Sequence, residues 1–297
     1  MDSLFLFGIL FLGPNMPGHN NWFGINLRLG INNHDVRFEI TLSIDNKDLI
    51  SDFEKASDYT AKLIAEKYEN LYLSLSGGLD SEYIATVLLR NNIPFTPVIC
   101  YNSETKNEVW YAKYFIERHN LTPMIIDYTK NENIFYSRLL RNARNMQTNP
   151  SISFVPHIIA EQIDGSLITG YGEPFSNSND YDCPMGSILE FEEHDFYLDV
   201  SFDKKHPGAF FSFTPDLLFS LIRSIDIGKN TQLAKSILYK IPGRSKIITH
   251  LDQNKLEKLT TLTEKSKETR CVIVDREKLL QDSMTKNNII LTAGIKN

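Results

Sequence analysis

Residues 71–82 read LYLSLSGGLDSE, and this stretch decides how the chain folds. LYLSL is a short apolar run ended by turn residues, the pattern of a buried strand. From Leu79 onward Tyr83, Ile84, Val87 and Leu88 recur at helical spacing, so strand, glycine turn and helix follow one another directly. Gly77 and Gly78 let the backbone take turn conformations closed to other residues, so that its amides converge on an anion. The helix behind them adds unpaired N–H groups and the positive end of its dipole. Ser76 and Ser81 can add hydroxyl donors. Asp80 would repel a phosphate if it stood alone, so a divalent cation is expected between the two. A turn of this kind also serves simply to cap a helix. The pattern GxxxxGK[ST] is absent, which excludes a Walker loop.

Working outward, the alternation continues. Residues 95–101 (FTPVICY) read as a strand, 108–119 as a helix and 123–128 (PMIIDY) as a strand. Residues 134–144 and 155–162 read as helices and 165–170 (GSLITG) as a strand. Strands alternating with helices predict a doubly wound, parallel α/β sheet over residues 71–172. Upstream, WFGINLRLGI, NNHD and VRFEITLSI predict a hairpin over residues 21–44, followed by helical spacing over 45–69. Downstream of Glu173 the chain is polar and turn-rich. SILEFEEHDFYLDVSF suggests a further hairpin, and helices are expected at 214–225, 231–239 and 254–269. The expected organisation is an N-terminal strand, hairpin and helix segment (1–65), an α/β core (66–175) and a mainly helical C-terminal region (176–297).

Composition bounds the function. With 297 residues, 42% hydrophobic and 23% charged, the chain reads as a soluble globular protein. A net charge of −6 gives no global basic field for nucleic acid. The three cysteines, Cys100, Cys183 and Cys271, form no CxxC pair and fit a reducing cytoplasm. The opening MDSLFLFGILFLG has Asp2 where a signal peptide has basic residues and is too short to span a bilayer, so it is read as a buried strand, and no membrane partner is expected. The histidines have no metal-ligand spacing.

The SGGLDS segment, residues 76–81, resembles the PP-loop of the N-type ATP pyrophosphatases, SGGxDS, at every fixed position. That superfamily includes asparagine synthetase, GMP synthetase, NAD synthetase and tRNA-modifying enzymes. The resemblance implies an adenine nucleotide alpha hydrolase-like fold, use of ATP with Mg2+, and attack of an acceptor oxygen on the α-phosphate with loss of pyrophosphate. Several looser features resemble the synthetase domain of asparagine synthetase. These are residues 107–112 (NEVWYA), residues 168–173 (ITGYGE), residues 213–216 (FTPD), and the basic residues Lys235, Lys240, Arg244 and Lys246.

On this resemblance Ser76, Gly77, Gly78, Leu79 and Ser81 cradle the phosphates and Asp80 holds magnesium. Leu73 and Ser74 approach the nucleotide, and the backbone from Val98 through Ile99 and Cys100 to Tyr101 flanks adenine. Gly170 and Gly172 lie beside it, at the carboxyl end of a parallel strand where open α/β sheets bind ligands. Glu173 and Asp180 face the acceptor. Lys240 and Lys246, at or past a helix end, are preferred over Lys235 as the cations that meet pyrophosphate, where fixed positive charge stabilises the leaving group.

Departures from the family narrow the reading. Residue 2 is Asp2 rather than a catalytic cysteine, and only about 70 residues precede the PP-loop strand, so no glutaminase domain is expected. A small-molecule acceptor is expected, with nitrogen from ammonia, a substrate amine or a separate amidotransferase. Two alternatives stay open. One is modification of tRNA or a nucleobase, with Cys100 and Cys183 as the available thiol pair; the other is nucleotide binding without turnover.

Overall fold

A computed structural model describes residues 16–17, 22–28, 37–44, 48–146, 152–173, 188–192, 205–225, 231–242 and 271–292. The first strands are β1 (Met16–Pro17), β2 (Phe23–Arg28) and β3 (Arg37–Ser43), paired antiparallel in that order. The β2–β3 register, Phe23 opposite Leu42 through Arg28 opposite Arg37, is that of the expected hairpin. Helix α1 (Phe53–Lys67) starts where Asp52 accepts the N–H of Lys55 at 2.8 Å, an acidic cap at the positive helix end. Its buried residues Phe53, Ala56, Ser57, Thr60, Ala61 and Ile64 recur on one face.

The core then alternates as the sequence predicts: β4 (Leu71–Ser74), α2 (Leu79–Arg90), β5 (Thr96–Tyr101), α3 (Trp110–Arg118), β6 (Met124–Asp127), α4 (Glu132–Met146), α5 (Val155–Ala160) and β7 (Ser166–Thr169). A two-residue strand, β9 (Gly208–Ala209), completes a five-stranded sheet of order β6-β5-β4-β7-β9, parallel at every pairing. Apart from the edge strand β6, whose Ile125 and Asp127 are exposed, the sheet is covered on both faces. Val98, Ile126 and Leu167 pack under Phe135, Leu139, Phe154 and Ile158 of the α4–α5 side. Leu73, Ile99 and Ile168 pack with Ile84, Leu88 and Phe115 on the other side. Strands buried on both faces read as continuous apolar runs, which is why LYLSL and FTPVICY were legible. Truncating one such residue, as in Leu73→Ala, costs about 2–5 kcal/mol in cores of this kind.

Two further helices follow the sheet. Helix α6 (Pro215–Ser224) is capped by Thr214, whose hydroxyl accepts from Leu217 N at 3.1 Å and pairs with Thr60 of α1 at 2.6 Å. Asp216 accepts the N–H of Ile50 at 2.8 Å, so the 213–216 segment joins the core to the start of the chain. Helix α7 (Thr231–Tyr239) has the expected bounds. Trp22 Nε1 donates to the carbonyls of Ser212 (3.1 Å) and Phe213 (3.2 Å), tying the antiparallel layer to the same segment.

The remaining strands pair non-locally. β8 (Ile188–Glu192) lies against β10 (Cys271–Asp275) from the far end of the chain. After α8 (Arg276–Thr285), β11 (Asn288–Thr292) joins β3. The first strand of the hairpin suggested around residues 187–202 is β8, which pairs with β10; residues 193–204, where its second strand was expected, lie outside the described residues. So do the strand expected at residues 1–13 and the helix expected at 254–269. Among the described residues no helix is long and apolar enough to cross a membrane.

Candidate active site

The sheet order places a topological switch point between β4 and β7: the chain winds from β4 through β5 to β6 on one side, and β7 and β9 lie on the other. Ligands of open α/β sheets sit in the crevice at the carboxyl ends of such strands. Both sequence-predicted segments, residues 76–81 after β4 and 170–173 after β7, emerge there. They touch. A Cβ on Gly170 would lie 3.3 Å from Asp80 Cβ and 3.3 Å from Ser81 N.

The loop after β4 needs its first glycine. Gly77 has φ +91°, and a Cβ there would sit 2.5 Å from the Glu108 carbonyl and 3.4 Å from Ala112 N. The turn is therefore pressed against the start of α3, which gives the 107–112 segment a packing role. Gly78 is the N-cap residue of α2 and offers no side-chain acceptor to its first turn. The amides of that turn and the helix dipole are the features that suit an anion. Ser76 and Ser81 hydroxyls lie 3.2 Å apart; Gly78 N donates to Ser76 Oγ at 3.3 Å and Ser81 Oγ donates to Gly78 O at 3.2 Å. These bonds rigidify the turn without using an external group. Across the crevice, Gly172 (φ +90°) is packed against Ser212 and Ala209, where an added Cβ would fall 2.8 Å and 2.9 Å from their Cβ atoms.

The chemistry converges on Asp80. Lys235 of α7 donates to Asp80 Oδ2 at 3.1 Å and to Glu173 Oε1, and Tyr239, one helical turn on, donates to Asp80 Oδ1 at 3.0 Å. Lys235 and Glu173 are both buried, while Asp80 is partly open. Burial alone would lower the Lys235 pKa, but the charges of Asp80 and Glu173 outweigh it and hold the ammonium well above its ordinary value. Burial, then the same two carboxylates, pushes the Tyr239 phenol well up, so it is a neutral donor. Asp80 and Glu173 thus face the same ammonium, beside the amides of the glycine turn.

Mg2+ is bound through one or two carboxylates plus phosphate oxygens, and Asp80, partly open at the turn, is a carboxylate that could hold it. Among the described residues no group of three or more His, Cys, Asp or Glu forms a self-sufficient metal cage.

The other predicted cations are placed differently. Lys240 has a left-handed backbone (φ +57°) just beyond α7, and its exposed ammonium pairs with Glu54 Oε2 at 2.6 Å. It is Lys235, ranked below Lys240 by sequence, that meets Asp80. The helix end turns the later lysine outward, whereas Lys235 lies on the inward face of α7. Lys246, Arg244 and Asp180 lie outside the described residues. Tyr239 is the residue sequence reasoning missed. Its available signal was the i,i+4 spacing from Lys235, which puts both side chains on one helical face.

On the expected adenine side, Leu75 N donates to Val98 O at 2.9 Å, continuing the β4–β5 ladder to the loop. Ser74 stands opposite Val98, and Ile99 and Tyr101 are buried on the α2–α3 face. Cys100 points to the opposite, α4–α5 face. Burial pushes its thiol up to about 12, against a weaker opposing effect of Arg138, so it is not a ready thiolate. This weakens the sulfur-transfer alternative; Cys183 lies outside the described residues.

The molecule is thus an α/β protein with a glycine turn and a Lys–Asp–Glu cluster at its switch point. Neither a protein-family profile nor a curated protein sequence matches the chain. Among solved structures it is similar to an NMN synthetase from Francisella tularensis, with 17% identity, a TM-score of 0.28, and coverage of 39% of this chain and 52% of that one. It is also similar to an NH3-dependent NAD synthetase from Campylobacter jejuni, with 19% identity, a TM-score of 0.27, and coverage of 39% of this chain and 56% of that one. The chain spans little more than half the length of each, and the functional reading rests on the site itself.

Proposed function

We propose that this protein is an ATP pyrophosphatase-type ligase, which splits ATP into AMP and pyrophosphate to activate an acceptor for a nitrogen nucleophile. The observation that carries the reading is the meeting of Asp80, Glu173 and Lys235 at the mouth of the SGGLDS turn. An acceptor oxygen attacks the α-phosphorus of ATP; the new P–O bond forms as the α–β bridging P–O bond breaks, and pyrophosphate leaves with the electron pair. The nitrogen nucleophile then displaces AMP from the adenylated acceptor and gives up a proton.

In this reading the backbone of residues 76–81 holds the phosphates, and Lys235 faces the charge that builds on pyrophosphate. Glu173 keeps Lys235 at that position and borders the acceptor side. A magnesium ion at Asp80 would supply charge neutralisation of the phosphates. The acceptor is a small molecule bound on the side of residues 170–173, and nitrogen comes from ammonia, an amine or a separate amidotransferase.

The test is AMP release from ATP, Mg2+ and a small-metabolite extract by the wild type and by Asp80→Asn. The expected result is AMP from the wild type and loss of at least about a hundredfold in the variant, the scale of removing one electrostatic group from such a site. Equal activity in a folded Asp80→Asn would sink the assignment. No AMP from the wild type calls for the same assay with bulk tRNA; AMP there moves the acceptor to RNA, and none leaves a nucleotide-binding protein without turnover.

A further inference from the structure

We propose that Tyr239 is a positioning residue for Asp80, orienting the carboxylate toward the metal–nucleotide partner; this rests on the nucleotide reading above. The phenol ring has little freedom. It stacks on Tyr83 with centroids 4.4 Å apart, and on Phe53 (5.8 Å) and Phe211 (5.9 Å), in a nearly parallel column. These rings come from α1, α2, α7 and the segment before α6, so the hydroxyl direction is set by the packing of four separate parts of the chain. That hydroxyl donates to Asp80 Oδ1 at 3.0 Å, while Lys235 takes Oδ2 at 3.1 Å.

An aspartate carboxylate rotates over a broad torsional well when nothing holds it. With a different donor on each oxygen, rotation of Asp80 breaks two bonds at once, and its plane is fixed relative to the loop. The chemical identity of the second donor matters. A second lysine would neutralise the carboxylate and compete with a divalent cation. A phenol orients it and leaves its charge available. Each oxygen accepting one bond keeps a further lone pair for an incoming cation or its water.

Tyr83 supplies an internal control. It belongs to the same column and is equally buried, but its hydroxyl donates to Ser57 at 2.8 Å. Tyr83→Phe and Tyr239→Phe therefore remove the same atom from the same stack, and only the second touches Asp80.

The experiment is calorimetric ATP affinity with and without Mg2+ for the wild type and both variants, with thermal unfolding of each. Wild type binds ATP more tightly with Mg2+. In Tyr239→Phe, metal-free affinity stays the same and the Mg2+ enhancement falls about ten- to a hundredfold, the scale of one hydrogen bond to a charged group. In Tyr83→Phe the enhancement is retained. An unchanged enhancement in Tyr239→Phe, or the same loss in Tyr83→Phe, overturns the positioning role while leaving ATP binding in place. Absence of ATP binding by the wild type overturns the nucleotide reading and this inference together, so the two failures are distinct.

Discussion

The two walls of the crevice are built in opposite ways. One wall is contiguous: β4, the glycine turn and the first turn of α2 lie within twenty residues, and their geometry follows from local rules. The other wall is α7, whose Lys235 and Tyr239 stand 155 and 159 residues from Asp80. The contiguous wall provides amides, hydroxyls, a helix dipole and the carboxylate of Asp80. The distant wall provides the buried charge. The glycine turn can thus be written in six residues, whereas the ammonium that meets Asp80 has to be delivered by tertiary packing. The aromatic column of Phe53, Tyr83, Phe211 and Tyr239 delivers it.

Substitutions on the two walls should differ in kind. Asp80→Asn, on the contiguous wall, has the largest expected effect, loss of turnover in a folded protein. Lys235→Met should affect both turnover and folding. It leaves Glu173 buried without its ammonium, and breaking a buried pair from one side costs about 3–5 kcal/mol. Thermal unfolding should show a large drop, and adding Glu173→Gln should recover part of it. No recovery in the double variant would mean the two groups are not energetically coupled.

Gly77→Ala comes next. Its left-handed φ and the Glu108 carbonyl at 2.5 Å from an added Cβ force the turn away from α3. A loss of about 1–3 kcal/mol in unfolding free energy and a weaker ATP affinity are expected. If only stability falls, the turn is a structural joint and not a cradle. The smallest effect belongs to Lys240→Ala. That exposed side chain pairs with Glu54 at the surface, so stability should move by no more than about 0.5 kcal/mol and ATP turnover should stay at the wild-type level. A large loss of turnover would return Lys240 to the site and undo the contrast drawn between it and Lys235.

The same contrast explains what the sequence made legible. Core strands β4, β5 and β7 announced themselves because strands covered on both faces are largely apolar, and the bounds of all four core strands, the half-exposed β6 included, fell within a residue or two of the structure. The turn was legible because adjacent glycines between an apolar strand and a helical pattern mark a tight strand–helix junction, and Gly77 does take a left-handed φ there. Helix α7 was also found at residues 231–239, yet its inward lysine was ranked below Lys240, because a helix's register against a distant element is not encoded in its own spacing. β8 illustrates the same limit: its strand character was visible, but its partner β10 lies at the far end of the chain, and pairing across such a span carries no local signal. The two-residue β9 is too short to show a period at all.

The most direct test of the central claim is phosphorus NMR of the wild-type protein with ATP, Mg2+ and a small-metabolite extract. The account predicts AMP and pyrophosphate appearing together in equal amounts, as cleavage between the α- and β-phosphates requires. ADP and inorganic phosphate as the products would contradict it, because they place the reaction at the γ-phosphate.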